Sequence, residues 1–245
     1  MIFRRNIPEW ITSRPIAHRG LHQGKEIPEN SIASFELAIE KGHPIELDIH
    51  ILKDNSIAVF HDRDLLRLCG KDLLLKHQTA VSIKEYFLCD TNQKIPLLSE
   101  VLNLVSGKVP LLIEIKNFNW PGRMEEQVLK VLRDYKGEFA VQSFNPFTPR
   151  WFRKNAPEIF TGQLATDVDY HEVEWWGHMA TKYLLVTLVS RPDFIGYDIE
   201  SIPNLPTRIV KKLGIPLLAW TVRNEEQRSR AALHCNNIIF ENHTD

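Results

Sequence analysis

The feature that most constrains this chain is an alternation of two kinds of segment. Apolar runs of strand length occur at "PIAH" (15–18), "PIELDI" (44–49), "PLLIEI" (110–115) and "FAVQSF" (139–144). Others follow at "IFTGQL" (159–164), "DFIGYDI" (193–199), "IPLLAWTV" (215–222) and "NIIFE" (237–241). Between most of them lie segments with apolar residues at helical spacing. "NSIASFELAIEKG" places Ile32, Phe35, Ala38 and Ile39 on one face, with Asn30 or Ser31 as N-cap and Gly42 just past the end. "LLSEVLNLVSG" (97–107) and "RMEEQVLKVLRDYKG" (123–137) repeat that logic. "NPFTPRWFRKNAP" (145–157), "LPTRIVKKLG" (205–214) and "NEEQRSRAALH" (224–234) read as further crossover helices. Strands that alternate with helices build a parallel sheet. About eight of them imply an α/β fold closed as a (β/α)8 barrel of the TIM type, with an open doubly wound sheet as the alternative.

Two stretches break the repeat. "IHILKDNSIAVFH" (49–61) carries a turn signal, Asp54-Asn55, between two apolar runs, which predicts a β-hairpin inserted after the second strand. Residues 62–96 read as an irregular excursion before the chain rejoins the barrel. We therefore expect one domain over 1–245, with 49–96 as hairpin and insertion.

Composition excludes several classes. Of 245 residues 43% are hydrophobic and 25% charged, enough for one sizeable core, and the formal net charge of −1 offers no field to recruit nucleic acid. The early arginines are not followed by an apolar run of signal-peptide length, and no stretch reaches the roughly 20 apolar residues of a membrane span. Cys69, Cys89 and Cys235 are odd in number and widely spaced, which fits a reducing compartment. The expectation is a cytoplasmic protein without stable membrane insertion.

Side chains at i and i+2 of a strand share a face. Glu46 and Asp48 therefore lie together, as do Glu114 and Lys116, while Gln142 faces away from Val141 and Ser143. Carboxylates in otherwise apolar strands need compensating cations. Arg19 and Lys116 offer two positive charges for three carboxylates. Either these five form a closed salt-bridge network, or a divalent cation resolves the surplus; oxygen ligands and the absence of a cysteine cluster favour Mg²⁺ or Ca²⁺. His18 ends the first strand, and antiparallel pairing would return His61 toward Glu46 and Asp48. Two histidines near a metal can serve as general acid and base. Arg19 could instead be an ordinary surface ion pair. Trp220 and Gln142 are candidate pocket walls, and "EVEWWGHM" (172–179) either caps the barrel mouth or packs in the core. His22, His43, His50, His77, His171, His178, His234 and His243 lack such context and are expected on the solvated surface.

The motifs, in order, are "AHRG" (17–20), "PENS" (28–31), "ELDI" (46–49), "FHD" (60–62) followed by "LLRLCG", "IEIK" (113–116), "QSF" (142–144) and "AWTV" (219–222). With them the chain resembles the glycerophosphodiester phosphodiesterase family over nearly its whole length. The resemblance implies a TIM barrel with a small insertion after the second strand. It implies hydrolysis of a small glycerophosphodiester to glycerol 3-phosphate and an alcohol, with one Mg²⁺ or Ca²⁺. It further implies His18 and His61 as the acid–base pair, Glu46, Asp48 and Glu114 as metal ligands, and Arg19 and Lys116 as phosphate-binding residues. Ser31 replaces the family's threonine and Asp54-Asn55 its Asp-Gly turn. The family's aspartate after the last strand has no secure match in "NNIIFENHTD", so no residue is carried over there. A lysophospholipase D or sphingomyelinase D-like enzyme, and a phosphodiester-binding barrel without catalysis, are the rival readings.

Overall fold

All eight apolar runs become strands of one parallel sheet, and that sheet closes on itself. The structure, a computed structural model, describes residues 5–167 and 184–241. The barrel strands are β1 (Ile16–Ala17), β2 (Ile45–Ile51), β6 (Leu111–Ile115) and β7 (Phe139–Ser143), followed by β8 (Phe160–Ala165), β9 (Phe194–Asp198), β10 (Leu217–Val222) and β11 (Asn237–Phe240). Each pairs in parallel with the next, and β11 and β2 both pair with β1, which closes the ring. The open-sheet alternative is thereby removed. The helices are α1 (Glu9–Ser13), α2 (Ile32–Glu40), α3 (Leu66–Cys69), α4 (Leu98–Val105), α5 (Arg123–Leu132), α6 (Phe147–Asn155), α7 (Thr187–Ser190), α8 (Leu205–Lys212) and α9 (Glu225–His234) among the described residues.

Caps follow the polar residues in front of each apolar pattern. Ser31 caps α2 and exchanges hydrogen bonds with Ser34, while Asn204 caps α8 and Asn224 caps α9. Helix α5 stops at Leu132, short of the predicted Gly137; Tyr135 leaves the helical path and its hydroxyl accepts a hydrogen bond from Gly107 N at 3.2 Å. The outward strand face, including Ile45, Leu47, Ile113, Val141, Ile195 and Ala219, packs on Phe35, Leu98, Val128, Phe152, Val210 and Ala231. Burial of this belt is the main stabilising term.

The inward face changes character along the barrel axis. Toward the strand starts it is apolar: Ile16, Leu112, Ala140, Phe194, Leu218 and Ile239 form one cluster. Two positions nearer the strand ends the same face presents His18, Glu114, Gln142, Trp220 and Glu241. Residues 9–13 carry no periodic signal, yet α1 closes the apolar end: Trp10 and Ile11 join the interior cluster, and Asn237 Nδ2 donates to Ile11 O (2.9 Å) and Arg14 O (2.7 Å). A short five-residue helix with only two buried side chains leaves no periodicity to detect.

The predicted hairpin forms. Strand β3 (Ile57–Val59) pairs antiparallel with β2, and Asn55 takes the left-handed conformation (φ 70°) at the turn. The excursion beyond it is more regular than expected. It contains α3, a two-stranded ribbon of β4 (Asp64–Leu65) and β5 (Lys71–Leu74), and a small core of its own with Phe60, Leu65, Leu68, Leu75, Ile83, Leu88 and Ile95. The segment 172–179, like His171, His178 and His243, lies outside the described residues.

Candidate active site

The register places the polar residues before any side-chain choice is made. Asp48 pairs with Glu114 across β2 and β6, and Glu114 with Gln142 across β6 and β7, all on the inward face. Glu46, Asp48 and Glu114 are buried and bring carboxylate oxygens within 4.8 Å of one another. Lys116 Nζ lies 2.6 Å from Glu114 Oε1 and 3.1 Å from Asp48 Oδ1. Arg19 Nε is 3.1 Å from Asp48 Oδ2, to which Asn30 Nδ2 also donates at 2.9 Å.

Glu46 is treated differently. Its Oε2 accepts the Arg19 backbone N–H (3.1 Å), but Oε1 is buried with no hydrogen-bond donor among the described residues. The salt-bridge network is therefore not closed on Glu46. Burial, and next the charges of Asp48 and Glu114, raise its pKa well above the usual carboxylate value; burial also raises that of Glu114. For Asp48 burial acts in the same direction, but Lys116 and Arg19 outweigh it and hold the group well below its usual range. A buried carboxylate oxygen without a donor, facing two others, fits a hard cation bound by oxygen.

His18 stands at the end of β1, its Nε2 3.9 Å from Glu46 Oε2 and its Nδ1 2.7 Å from Glu241 Oε1. Burial, reinforced by Arg19, lowers its pKa to about 4. His61 follows β3 and is more open, with its side chain 30% exposed; its Nδ1 is 2.7 Å from Asp62 Oδ1. A chain of ion pairs runs from His61 to Arg19, the residue that follows His18. Arg67 in α3 donates to both Asp62 (2.7 and 2.9 Å) and Glu29 (2.8 Å each), and Arg19 Nη1 donates to the same Glu29 at 2.6 Å. The loop carrying Arg19 needs its glycine: Gly20 has φ 80°, and a Cβ there would lie 2.5 Å from Ser34 Oγ.

This chain of charges has a pH signature. Burial opposes ionisation of Glu29, but Arg67 and Arg19 outweigh it and bring its pKa down to about 2. A folded-state value below the unfolded one stabilises the fold at higher pH, and that contribution fades as pH falls toward the folded value. The stability advantage of the parent over Glu29→Gln should thus shrink by about 1 kcal/mol between pH 6 and pH 4 in urea denaturation. An advantage that stays constant or grows on acidification would contradict the assignment.

Gln142 (2% exposed) and Trp220 line the same inward face, Trp220 edge-on to Phe144 with centroids 5.5 Å apart. All nine residues singled out from the sequence are thus gathered at the strand-end mouth of the barrel. The expected solvated surface position needs correction at His50 and, in part, at His22, His43 and His234, which are half-buried. His50 is only 8% exposed, not a surface residue; its Nε2 meets His61 O at 2.9 Å, and burial lowers its pKa to about 4. It continues the face of Glu46 and Asp48 by the same i+2 rule, which was the available signal. His22 is half-buried, with its Nε2 3.9 Å from Glu241. Glu241, Glu29, Asn30, Asp62 and Arg67 were not singled out as site residues. Glu241 had the same signal as Glu114, a carboxylate at the end of an apolar run; Arg67 lay inside the quoted "LLRLCG" run but nothing local marked its role, because α3 docks through tertiary packing.

The profile of the glycerophosphoryl diester phosphodiesterase family matches residues 18–244. The chain belongs to that family. A glycerophosphodiester phosphodiesterase of Caldanaerobacter subterraneus subsp. tengcongensis is 34% identical over 230 residues, 88% of either chain. The lysophospholipase D GDPD1 of Rattus norvegicus is 32% identical over 139 residues, 51% of this chain and 43% of that protein. Among solved structures of the family fold, a phosphodiesterase of Oleispira antarctica in complex with the product sn-glycerol-3-phosphate superimposes with a TM-score of 0.78 at 20% identity, covering 94% of this chain and 93% of that one. The family enzyme of Thermotoga maritima gives 0.72 at 25% identity, with 93% and 94% covered. The barrel and its enzyme family therefore agree with the sequence expectation. No helix among the described residues is long and apolar enough to cross a membrane.

Proposed function

We propose that this protein hydrolyses glycerophosphodiesters to glycerol 3-phosphate and an alcohol, using His18 and His61 as the acid–base pair beside a divalent cation. The observation that carries this reading is the convergence, in one barrel mouth, of three buried carboxylates, two cations and two carboxylate-held histidines. The names of the relatives and the product in the Oleispira antarctica complex support the substrate class.

Glu46, Asp48 and Glu114 would hold the cation, Mg²⁺ or Ca²⁺ by their all-oxygen chemistry. Bound there, such an ion supplies Lewis acidity toward a non-bridging phosphoryl oxygen. Arg19 and Lys116 balance the negative charge that develops on the phosphoryl oxygens. His18 is neutral at pH 7 and accepts the proton of the nucleophile, a water or the glycerol 2-hydroxyl. As the new O–P bond forms, the bond to the alcohol breaks, and His61 at the open rim gives the departing oxygen its proton. Asp62 occupies Nδ1 of His61, leaving Nε2 for that transfer. Attack by the 2-hydroxyl gives a cyclic phosphate first, which phosphorus NMR distinguishes from direct hydrolysis. The three free cysteines fit a cytoplasmic setting.

Release of glycerol 3-phosphate from glycerophosphocholine or glycerophosphoethanolamine should require added Mg²⁺ or Ca²⁺ and stop with EDTA. Release undiminished by EDTA would remove the cation from the mechanism; no release with any metal would remove the reaction. One observation favours a second reading, cleavage of lysophospholipids: at the barrel mouth Trp120 is 79% and Phe118 48% exposed, a surface suited to an acyl chain. A long-chain lysolipid assayed beside the soluble diester separates the two.

A further inference from the structure

Three adjacent strands end in a row of side chains, two of which the mechanism above leaves without a role. The β1–β11 register, Ile16 with Ile239 and Ala17 with Phe240, continued by one residue, sets His18 beside Glu241. On the other side Val222 pairs with Phe240, which sets Arg223 beside Glu241. The backbone holds this row: His18 N donates to Phe240 O at 2.9 Å and Glu241 N to Val222 O at 3.0 Å. The side chains complete it. Glu241 Oε1 faces His18 Nδ1 at 2.7 Å, while Arg223 Nε donates to Oε2 at 2.7 Å and its Nη2 to Oε1 at 3.3 Å. Arg223 is itself held at the backbone, its N–H donating to Gln227 Oε1 at 2.6 Å.

A neutral imidazole carries one N–H, and an ionised carboxylate can only accept. Burial disfavours the Glu241 anion, but His18 and Arg223 outweigh that cost and hold its carboxyl well below the usual range. The nitrogen that faces it must then carry the hydrogen. The other nitrogen, Nε2, keeps its lone pair on the side of Glu46, 3.9 Å away. Two anchors on one carboxylate also stop the ring from turning, because Arg223 fixes the acceptor in the plane that His18 must meet.

We propose that Glu241, clamped by Arg223, is a positioning residue that fixes His18 as the Nδ1–H tautomer with Nε2 aimed at the reacting phosphoryl group. The proposal rests on the reading of His18 as proton acceptor in the section above. In this role Glu241 acts through His18, as carboxylates behind catalytic and metal-bound imidazoles do.

The test compares the parent with Glu241→Ala, Glu241→Gln and Arg223→Ala, each with Mg²⁺ and glycerophosphocholine, and reads the His18 ring by ¹⁵N NMR. Glu241→Ala should lower kcat by about 10–100-fold with KM within about twofold, and should lose the single Nδ1–H tautomer. Glu241→Gln, whose amide oxygen still accepts from Nδ1, should recover part of kcat, and Arg223→Ala should fall between the parent and Glu241→Ala. A merely structural role would lower the melting temperature and leave tautomer and kcat alone. Parent-like kcat in Glu241→Ala, or a parent ring without the Nδ1–H tautomer, overturns the proposal. A parent that cleaves no diester yet shows a Glu241-dependent tautomer overturns the proposed function instead.

Discussion

Replacing His18 or His61 by alanine should lower turnover of glycerophosphocholine by on the order of 10²–10⁴-fold while leaving the fold intact. Neither ring contributes to the apolar clusters that hold the barrel. Loss of His18 leaves Glu241 paired with Arg223, and loss of His61 leaves Asp62 paired with Arg67, so no carboxylate is stranded. The double variant should be little worse than the poorer single one, because two groups that serve one proton-transfer sequence are not additive. Steady-state kinetics beside circular dichroism checks this. A double variant that retains parental turnover would remove both histidines from the chemistry.

Asp48→Ala has the largest expected effect on stability. Asp48 is fully buried and meets Lys116, Arg19 and Asn30 at once. Removing it strands two buried cations, whose remaining counter-charges are Glu114 for Lys116 and Glu29 for Arg19. Breaking a buried charge network by deleting one member costs about 3–5 kcal/mol. For a chain of this size that corresponds to a fall of about 10 °C in Tm, measured with EDTA present so that metal binding does not contribute. Metal affinity should fall as well, since one of three carboxylates is gone. Unchanged Tm would mean that Lys116 and Arg19 find water or new partners at little cost. Asp48→Asn separates the charge from the volume: it keeps the packing, and it should lose most of the stability that the alanine variant loses.

How much of this site was legible depended on where each residue's partners come from. Glu46, Asp48 and Glu114 were readable because alternation within a strand fixes which face a side chain takes, and a carboxylate on a buried strand stands out against its neighbours. The end of β11 carried the same kind of signal at Glu241, but its meaning depends on which strand lies beside it. His50 was misplaced on the surface although it continues the face of Asp48; strand β2 runs further than its apolar run, because the hairpin extends the ladder. Helix α1 and helix α3 carried no readable pattern. Each is too short for periodicity, and each is held by contacts with residues distant in the chain.

The order of strands and helices, the inserted hairpin and the polar residues on the inward face could all be read from the chain alone. All of these are local properties, set by spacing, capping and turn chemistry. Closure of the sheet, the plug of Trp10 and Ile11, and the row His18–Glu241–Arg223 were decided only in three dimensions. The ring closes by pairing β1 with β11, more than two hundred residues apart, and pairing at that separation is an outcome of packing that no local pattern encodes.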